Sequence, residues 1–241
     1  MEQFMEYDIR LITQERSIVL GENIYDFTAE GHYDFCFGKS YALLGDFGKG
    51  GYLVSGLLSD KVPIMKERII VNGNDDSLFA KKYGWMIGQS YYSNLRSKEM
   101  TVSKILNRFK NNKNYSEIIE YFEIEENRLP NLISQMPHEK WRVSSAIGLL
   151  AGKRLFCFPY MNSRLLYDVI YSSGNLLTVK KITNMGGIVI IPTNDVSLIS
   201  CVVDKTVCIN NSRFDDLCSL AEAQSKRLND ELIRLHDRGL L

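Results

Sequence analysis

Residues 40–56 read SYALLGDFGKGGYLVSG, an apolar run that ends in a glycine-rich loop and continues into a second apolar segment. The run Ser40–Leu44 predicts a buried strand, and Tyr52–Leu58 predicts the start of a helix. Strand, glycine loop and helix in this order are the context of a phosphate-binding loop, in which backbone N–H groups and a helix N-terminus surround an anion. The stretch therefore predicts an α/β fold built around this loop.

The loop departs from the usual phosphate-loop pattern GxxxxGK[ST] at the positions that contact phosphate and Mg²⁺. The glycines of the pattern, with one extra, are present as Gly45, Gly48 and Gly50. Gly51 stands at the lysine position, however, and Tyr52 at the Ser/Thr position. Using Lys49 as the lysine places Leu43 where the first glycine belongs, so a shifted frame does not restore the pattern. The loop alone is thus a weak indication of nucleotide binding.

Composition and length place the chain among ordinary globular proteins. Of its 241 residues 45% are hydrophobic and 24% are charged, and Lys+Arg and Asp+Glu each total 29. This balance gives no overall charge that would attract nucleic acid, so we expect no nucleic-acid partner. No apolar run approaches the ~20 residues of a membrane span, and we expect a cytoplasmic protein. Three cysteines in apolar runs are interpreted as reduced core residues: Cys157, Cys201 and Cys208.

The rest of the chain alternates between strand and helix patterns. Further strands are predicted at Asp8–Ile12, Ser17–Leu20, Tyr33–Phe37, Glu67–Val71, Gly84–Ile87, Arg154–Phe158 and Ile188–Ile191. The pattern is helical from Thr101 to about Leu150, and an amphipathic helix is predicted over Asp215–Arg238. We expect Ser40–Leu44 and Arg154–Phe158 to be neighbouring parallel strands, with the glycine loop at the carboxyl edge of the sheet.

A series of segments, taken in order, resembles the ATP-binding cassette family, the nucleotide-binding subunits of ABC transporters. The segments are SYALLGDFGKGGYLVSGLLSD, ERIIVNGND, KKYGWMIGQS, TVSKIL, WRVSSAIGLLAGKRLFCFPYMNSRLL, GGIVIIPTND and VVDKTVCINNSRF. The resemblance implies an α/β fold: a P-loop core with a central mixed sheet, an N-terminal antiparallel β portion and a helical subdomain. It implies that residues 1–91 form the first part of the core, 92–150 the helical subdomain and 151–241 the second part of the core.

The resemblance assigns the family's functional positions to particular residues of this chain. The degenerate phosphate loop consists of Gly45, Gly48, Lys49, Gly50, Gly51 and Tyr52, and the Q-loop glutamine is Gln89. The signature motif falls on Gln135, Met136, Pro137, His138 and Glu139, and the Walker B aspartate and glutamate fall on Pro159 and Tyr160. The D-loop aspartate falls on Leu166 and the switch histidine on Asn194. Among these positions, only Gly45, Gly48, Gly50 and Gln89 match the family.

These replacements imply that the chain is not an ATPase. Pro159 and Tyr160 neither bind a hard cation nor accept a proton at neutral pH, and Pro137 has no N–H group for a phosphate. Phosphoryl transfer depends on positioned charges, so we expect no catalytic residues, no metal and no cofactor. We expect the loop to be collapsed or plugged by Tyr52 or Tyr160, with local acceptors such as Asp46 taking its N–H groups.

Three functions remain open for such a chain. The resemblance implies an inactive subunit that docks on a membrane permease around Gln89–Lys104, at the cytoplasmic face of the membrane, and pairs with itself or with an active cassette. A second function is a sensor that binds a nucleotide or another anion through the N–H groups of Gly48–Tyr52 without hydrolysis. A third is an altered enzyme.

Lys49 is interpreted as a solvent-exposed lysine or as a relocated phosphate contact. Tyr52 and Tyr160 are interpreted as residues that fill the vacated cavity or as ligand contacts.

Overall fold

The computed structural model describes residues 7–21, 24–88, 100–136, 138–172 and 175–210. The strands are β1 (Ile9–Thr13), β2 (Arg16–Gly21), β3 (Ile24–Thr28), β4 (Gly31–Phe35), β5 (Ser40–Leu44), β6 (Arg68–Val71), β7 (Asn74–Asp75), β8 (Gly84–Met86), β9 (Leu155–Cys157), β10 (Ile188–Thr193) and β11 (Lys205–Cys208). The helices are α1 (Gly51–Leu58), α2 (Phe79–Tyr83), α3 (Val102–Leu106), α4 (Tyr115–Tyr121), α5 (Lys140–Leu150), α6 (Ser163–Leu166), α7 (Leu176–Asn184) and α8 (Val196–Ile199). A π-helical segment, Tyr167–Ser172, follows α6.

Five parallel strands form the central sheet in the order β11-β5-β10-β9-β8. Every residue of β5, β9 and β10 is buried. A parallel strand that is covered on both faces needs apolar side chains on both, which explains the continuous apolar sequences of these strands. β5 has the bounds that the sequence predicts, and the predicted strands at Gly84–Ile87, Arg154–Phe158 and Ile188–Ile191 differ from β8, β9 and β10 only at their ends. The predicted α/β fold class is confirmed.

The prediction that Ser40–Leu44 and Arg154–Phe158 are neighbouring strands is wrong. β10 lies between them, with Ile190 beside Tyr41 of β5 on one side and beside Cys157 of β9 on the other. All three strands are apolar and buried, and hydrophobicity alone does not rank strands by their position in a sheet. The order of a sheet is decided by how the crossover connections pack, which depends on tertiary contacts rather than on the pattern within each strand.

Antiparallel strands form two smaller sheets in the N-terminal part of the chain. β4, β1, β6 and β7 pair in that order, and β2 and β3 form a separate hairpin. The predicted N-terminal antiparallel portion is therefore confirmed, and the antiparallel strands lie beside the central sheet rather than within one mixed sheet. β3 is not predicted from the sequence. Its aromatic residue Tyr25 is exposed whereas Asp26 and Thr28 are buried, which reverses the usual pattern of a half-buried strand.

The central sheet has a hydrophobic core on each face. Tyr41 and Leu43 of β5 pack on the face that is covered by α1 and the four-stranded antiparallel sheet. Ala42 and Leu44 point to the other face, which is covered by α5 and α7. Seven of the eight residues of α1, all except Tyr52, are buried, and the helix packs against β8, β9 and β10 of the central sheet and against β3 of the hairpin. The glycine loop therefore connects two elements that are both fixed by packing.

Helices α3, α4 and α5 lie within the predicted helical region Thr101–Leu150, and their side chains join the core that also contains β9 and β10. The division of the chain into parts at residues 91/92 and 150/151 stays a prediction. The predicted amphipathic helix Asp215–Arg238 lies outside the described residues. Among the residues that are described, no helix is both long and apolar enough to cross a membrane.

Of the three cysteines interpreted as reduced core residues, one agrees with the interpretation and two differ from it. Cys157 is fully buried in β9, which confirms the interpretation for that residue. Cys201 is exposed, so the interpretation is wrong there. Cys208 is half-buried at the end of β11 and is disulfide-bonded rather than reduced.

Candidate functional site

The glycine loop Gly45–Gly51 joins the carboxyl end of β5 to α1, as predicted. Gly48 and Gly50 have φ angles of +81° and +99°, a backbone conformation that disfavours side chains, so both positions require glycine. Gly50 is the N-cap of α1. The N–H group of Gly45 donates to the carbonyl of Thr193 at 3.1 Å and fastens the start of the loop to β10. The loop thus lies at the carboxyl edge of the central sheet, with the N-terminus of α1 at its end.

The carboxylate of Asp26, on β3, lies at this helix N-terminus. Its Oδ1 accepts a hydrogen bond from the N–H group of Gly50 at 2.7 Å, and its Oδ2 accepts one from the N–H group of Leu53 at 2.7 Å. Asp26 is 1% exposed. Burial raises the pKa of Asp26, although the N–H groups of Gly50 and Leu53 act in the opposite direction. The donors that balance this buried carboxylate are therefore backbone N–H groups.

Tyr160 covers another part of the loop. Its ring lies 3.2 Å from the position that a Cβ atom on Gly51 would occupy. The ring also packs edge to face against Phe47, with the ring centroids 5.2 Å apart, and its hydroxyl donates to the carbonyl of Gly45 at 3.3 Å. Burial raises the pKa of Tyr160 to about 12. The hydroxyl therefore stays protonated at neutral pH and does not act as a general base.

Lys49 and Tyr52 take different places from Tyr160. Lys49 is exposed, as expected for a solvent-exposed loop lysine, and its backbone carbonyl accepts from the side chain of Asn210 at 3.2 Å. Tyr52 is half-buried and packs against the core that surrounds α1. The predicted tyrosine against the loop is Tyr160. The predicted local acceptor Asp46 takes the N–H group of Lys49 through its backbone carbonyl at 3.1 Å. The N–H group of Gly50 donates to the side chain of Asp26, which is not predicted from the sequence.

The residues at the position of the signature motif lie directly before α5, and the last of them is its N-cap residue. Met136 is buried in the core, and His138 is exposed. Glu139 is the N-cap residue of α5 and forms an ion pair with Arg128, with 3.0 Å between its Oε1 and the arginine Nη2. Pro137 lies outside the described residues. In the described part of this segment, the contacts fix the start of α5.

The remaining predicted positions are divided between the sheet edge and the core. Pro159 and Tyr160 follow β9, and Asn194 follows β10 and is exposed. These residues and the glycine loop lie together at the carboxyl ends of β5, β9 and β10. Leu166 is fully buried at the end of α6. Gln89 lies outside the described residues.

Two residues at the loop, Asp26 and Asn210, are not predicted from the sequence. The side-chain Nδ2 of Asn210 donates to the carbonyl of Phe27 at 2.7 Å, and its Oδ1 accepts from the N–H group of Ala29 at 3.0 Å. Because Asn210 also contacts the carbonyl of Lys49, it joins β3 to the loop. The alternation in Ile24–Thr28 does not indicate Asp26, because the apolar face that the sequence predicts is that of Tyr25 and Phe27, and the structure buries the opposite face.

Comparisons with known proteins identify the fold. No protein-family model matches the chain, and no curated protein matches its sequence. An ATP-binding subunit of an ABC transporter has a TM-score of 0.60 and 13% identity, over 83% of this chain and 85% of that chain. The cbiO1 protein from Clostridium perfringens, part of an ABC transporter complex, has a TM-score of 0.59 and 14% identity, over 84% of each chain. A dimeric ATP-binding cassette in a post-hydrolysis state, bound to ADP and Pi, has a TM-score of 0.60 and 12% identity, over 83% and 94%. The chain therefore has the fold of an ABC cassette.

This fold implies ATP and Mg²⁺, and the residues present do not fit them. The N–H group of Gly50, which would face a phosphate group, already donates to Asp26, and Tyr160 fills the space beside Gly51. At the end of β9, Pro159 and Tyr160 offer no carboxylate for a hard cation. In the described residues, no group of three or more His, Cys, Asp or Glu side chains is arranged to hold a metal ion.

Proposed function

We propose that the chain is a catalytically inactive ABC-type nucleotide-binding subunit that acts through protein contacts. In this function it docks on a membrane permease and pairs with itself or with an active cassette. The observation on which the proposal rests is the position of Tyr160, at the end of β9 and against Gly51. At this place an ATPase needs an acidic group and room for the phosphates, and the chain has an aromatic ring.

The chemistry of phosphoryl transfer supports inactivity. Its barrier is lowered by positioned charges that stabilise the transferred phosphoryl group. A lysine at position 51 would start from a Cβ atom 3.1 Å from Pro192 and 3.2 Å from the ring of Tyr160, so one of these side chains would have to move by a few tenths of an ångström to admit it. The phenol of Tyr160, with its raised pKa, supplies neither a metal ligand nor a base at neutral pH.

Exposed apolar side chains in the loop and in the segment that follows Tyr160 support a protein partner. Phe47, in the loop, is 55% exposed, and Leu165 and Tyr167, which follow Tyr160 in the chain, are 38% and 53% exposed. Aromatic residues are enriched where protein surfaces meet, and exposed apolar groups tend to mark such surfaces. Two of the solved structures with this fold are described as part of a transporter complex and as a dimer, respectively.

A sensor that binds a nucleotide or another anion without hydrolysing it is the alternative function. It requires free N–H donors in the segment Gly48–Tyr52. The N–H group of Gly50 donates to Asp26 and that of Lys49 donates to the carbonyl of Asp46 at 3.1 Å. These contacts favour the interaction function over the sensor.

Inactivity is tested by measuring ATP hydrolysis by the purified full chain with Mg²⁺, beside an active cassette and a sample with EDTA. We expect phosphate release to equal that of the EDTA sample, because the chain lacks the charges that the reaction needs. Mg²⁺-dependent turnover that disappears in the Tyr160→Phe variant would contradict the proposal, since it would assign a catalytic function to the phenol.

The interaction function needs a separate experiment. The chain is mixed with vesicles that contain a candidate permease from the same genome and, as a control, with vesicles of the same lipids alone. We expect co-sedimentation with the permease vesicles only, with the same yield in the presence and absence of ATP. Equal binding to the lipid-only vesicles, or to neither, would contradict docking on that permease.

A further inference from the structure

Asp26 lies on a different element from the loop that it contacts. It is the middle residue of β3, and 24 residues separate it from Gly50. Both carboxylate oxygens accept backbone N–H groups at 2.7 Å, one from the N-cap residue of α1 and one from the first turn of the helix. Such short bonds are typical of charge-assisted hydrogen bonds. The carboxylate of Asp26 therefore accepts N–H groups at the helix N-terminus from an element outside the helix.

The position of the carboxylate is that of an anion bound by the loop. Free N–H groups and the helix dipole make a helix N-terminus attractive to negative charge, and successive N–H groups in a glycine loop add to this attraction. The N–H groups of Phe27 and Tyr52 also favour the charged form of Asp26. Gly50 of the loop and the first turn of α1 thus bind an oxyanion that belongs to the chain itself.

The strand that contains Asp26 lies directly on the loop. A Cβ atom on Gly48 would lie 2.9 Å from the carbonyl oxygen of Tyr25, and a Cβ atom on Gly50 would lie 2.8 Å from that of Phe27. The N–H group of Phe27 donates to the carbonyl of Gly48 at 3.2 Å. β3 is therefore in contact with the loop at both Gly48 and Gly50.

We propose that Asp26 is the resident anion of the loop and makes an autoinhibitory contact: its carboxylate takes the N–H groups that would bind a phosphate group and so excludes external anions. An external phosphate has to lose translational freedom and displace β3, whereas the carboxylate is already in place. This inference deepens the proposed function by naming the group that closes the loop, and it does not depend on a permease or a second cassette.

The experiment compares the wild-type chain with Asp26→Ala and with a control, Asp34→Ala, which removes an aspartate that pairs with Arg10 on the N-terminal sheet. Tm is measured with inorganic phosphate and with chloride at equal ionic strength. We expect no difference for the wild-type chain and the control. For Asp26→Ala we expect phosphate at about 100 times its Kd to raise Tm by about 5 to 10 °C.

Two results would overturn the inference. One is a phosphate-dependent rise in Tm for the wild-type chain as large as that for Asp26→Ala. The other is a folded Asp26→Ala variant, with wild-type circular dichroism, that shows no response to phosphate, because a merely structural cap would lose stability without creating an anion site.

A second variant keeps the test valid if Asp26→Ala does not fold. Asp26→Asn has almost the same shape but offers one acceptor instead of two. One of the N–H groups of Gly50 and Leu53 therefore loses its acceptor. We expect inorganic phosphate to slow the exchange of that amide hydrogen with solvent in the variant and to leave the wild-type chain unchanged, and exchange in the variant that does not respond to phosphate would overturn the inference. These measurements are independent of ATP turnover, so failure of the proposed function and failure of this inference are distinguishable.

Discussion

Gly51 and Tyr160 make the contact that most directly separates this site from a phosphate-loop enzyme. A methyl group on Gly51 would lie 3.2 Å from the Tyr160 ring and 3.1 Å from Pro192. We expect Gly51→Ala to destabilise the wild-type chain by about 1–3 kcal/mol through overpacking. In a Tyr160→Ala background the ring is absent, and the same substitution should cost less. Urea unfolding of the two single variants and the double variant measures a coupling that we expect to be about 0.5–3 kcal/mol. Equal costs in both backgrounds would show that the ring does not restrict position 51.

Two buried acids should respond to pH in opposite ways. Burial raises the pKa of Asp26, so its contribution to stability is lower at neutral pH and improves as the pH falls towards its unfolded value of about 3.9. Burial also opposes ionisation of Glu67, but the N–H group of Met65 and the guanidinium of Arg16 outweigh it and lower the pKa. The contribution of Glu67 is therefore present above its unfolded pKa and is lost as the pH falls through its folded pKa.

Urea midpoints at about pH 7 and about pH 4 test these signs by comparison with the variants Asp26→Asn and Glu67→Gln. On acidification, we expect the stability of the wild-type chain to rise relative to Asp26→Asn and to fall relative to Glu67→Gln. Changes of the same sign for both variants would contradict the assignment.

At the scale of elements, α5 approaches the central sheet through a glycine. A Cβ atom on Gly148 would lie 2.7 Å from Phe156 of β9 and 2.9 Å from Trp85 of β8. Alanine is favoured over glycine in a helix by about 1 kcal/mol, but overpacking costs about 1–3 kcal/mol. We therefore expect Gly148→Ala to destabilise the chain by about 1 kcal/mol in urea unfolding. The control is Gly31→Ala, where the nearest atom is 3.8 Å away and we expect a change within about 0.5 kcal/mol. Stabilisation by Gly148→Ala would mean that α5 lies further from the sheet.

At the scale of the whole molecule, the two cores share the strands of the central sheet. Leu155 and Cys157 of β9 belong to one core, and Phe156 between them belongs to the other. Loss of either core exposes strand residues that the other core needs, so we expect one cooperative unfolding transition. The chain has two tryptophans, Trp85 and Trp141, which both lie in the core that contains α5. In urea, the midpoint from tryptophan fluorescence should equal the midpoint from far-UV circular dichroism, and two separate midpoints would indicate that the cores unfold independently.

The amino-acid sequence by itself determined the features that depend on short stretches of chain. The strand Ser40–Leu44, the glycine loop and the start of α1 follow from residues that are close in sequence, because backbone conformation and burial on both faces impose their own residue types. The same holds for the order of strands and helices along the chain. It is also why a resemblance in order and spacing predicted the fold correctly at an identity of 11–14% to the solved structures with that fold.

Only the tertiary structure decided which distant residues meet. The position of β10 between β5 and β9 depends on how crossovers pack, and the three apolar sequences do not distinguish it. The acceptor at the loop is Asp26 because the β2–β3 hairpin folds onto α1, and Asn210 reaches the same place from the end of β11. A lone aspartate in a short, outwardly aromatic strand indicates a turn or a surface residue as readily as a buried acid. Its environment is set by donors that lie 24 and 27 residues away in the chain, and only folding brings them together.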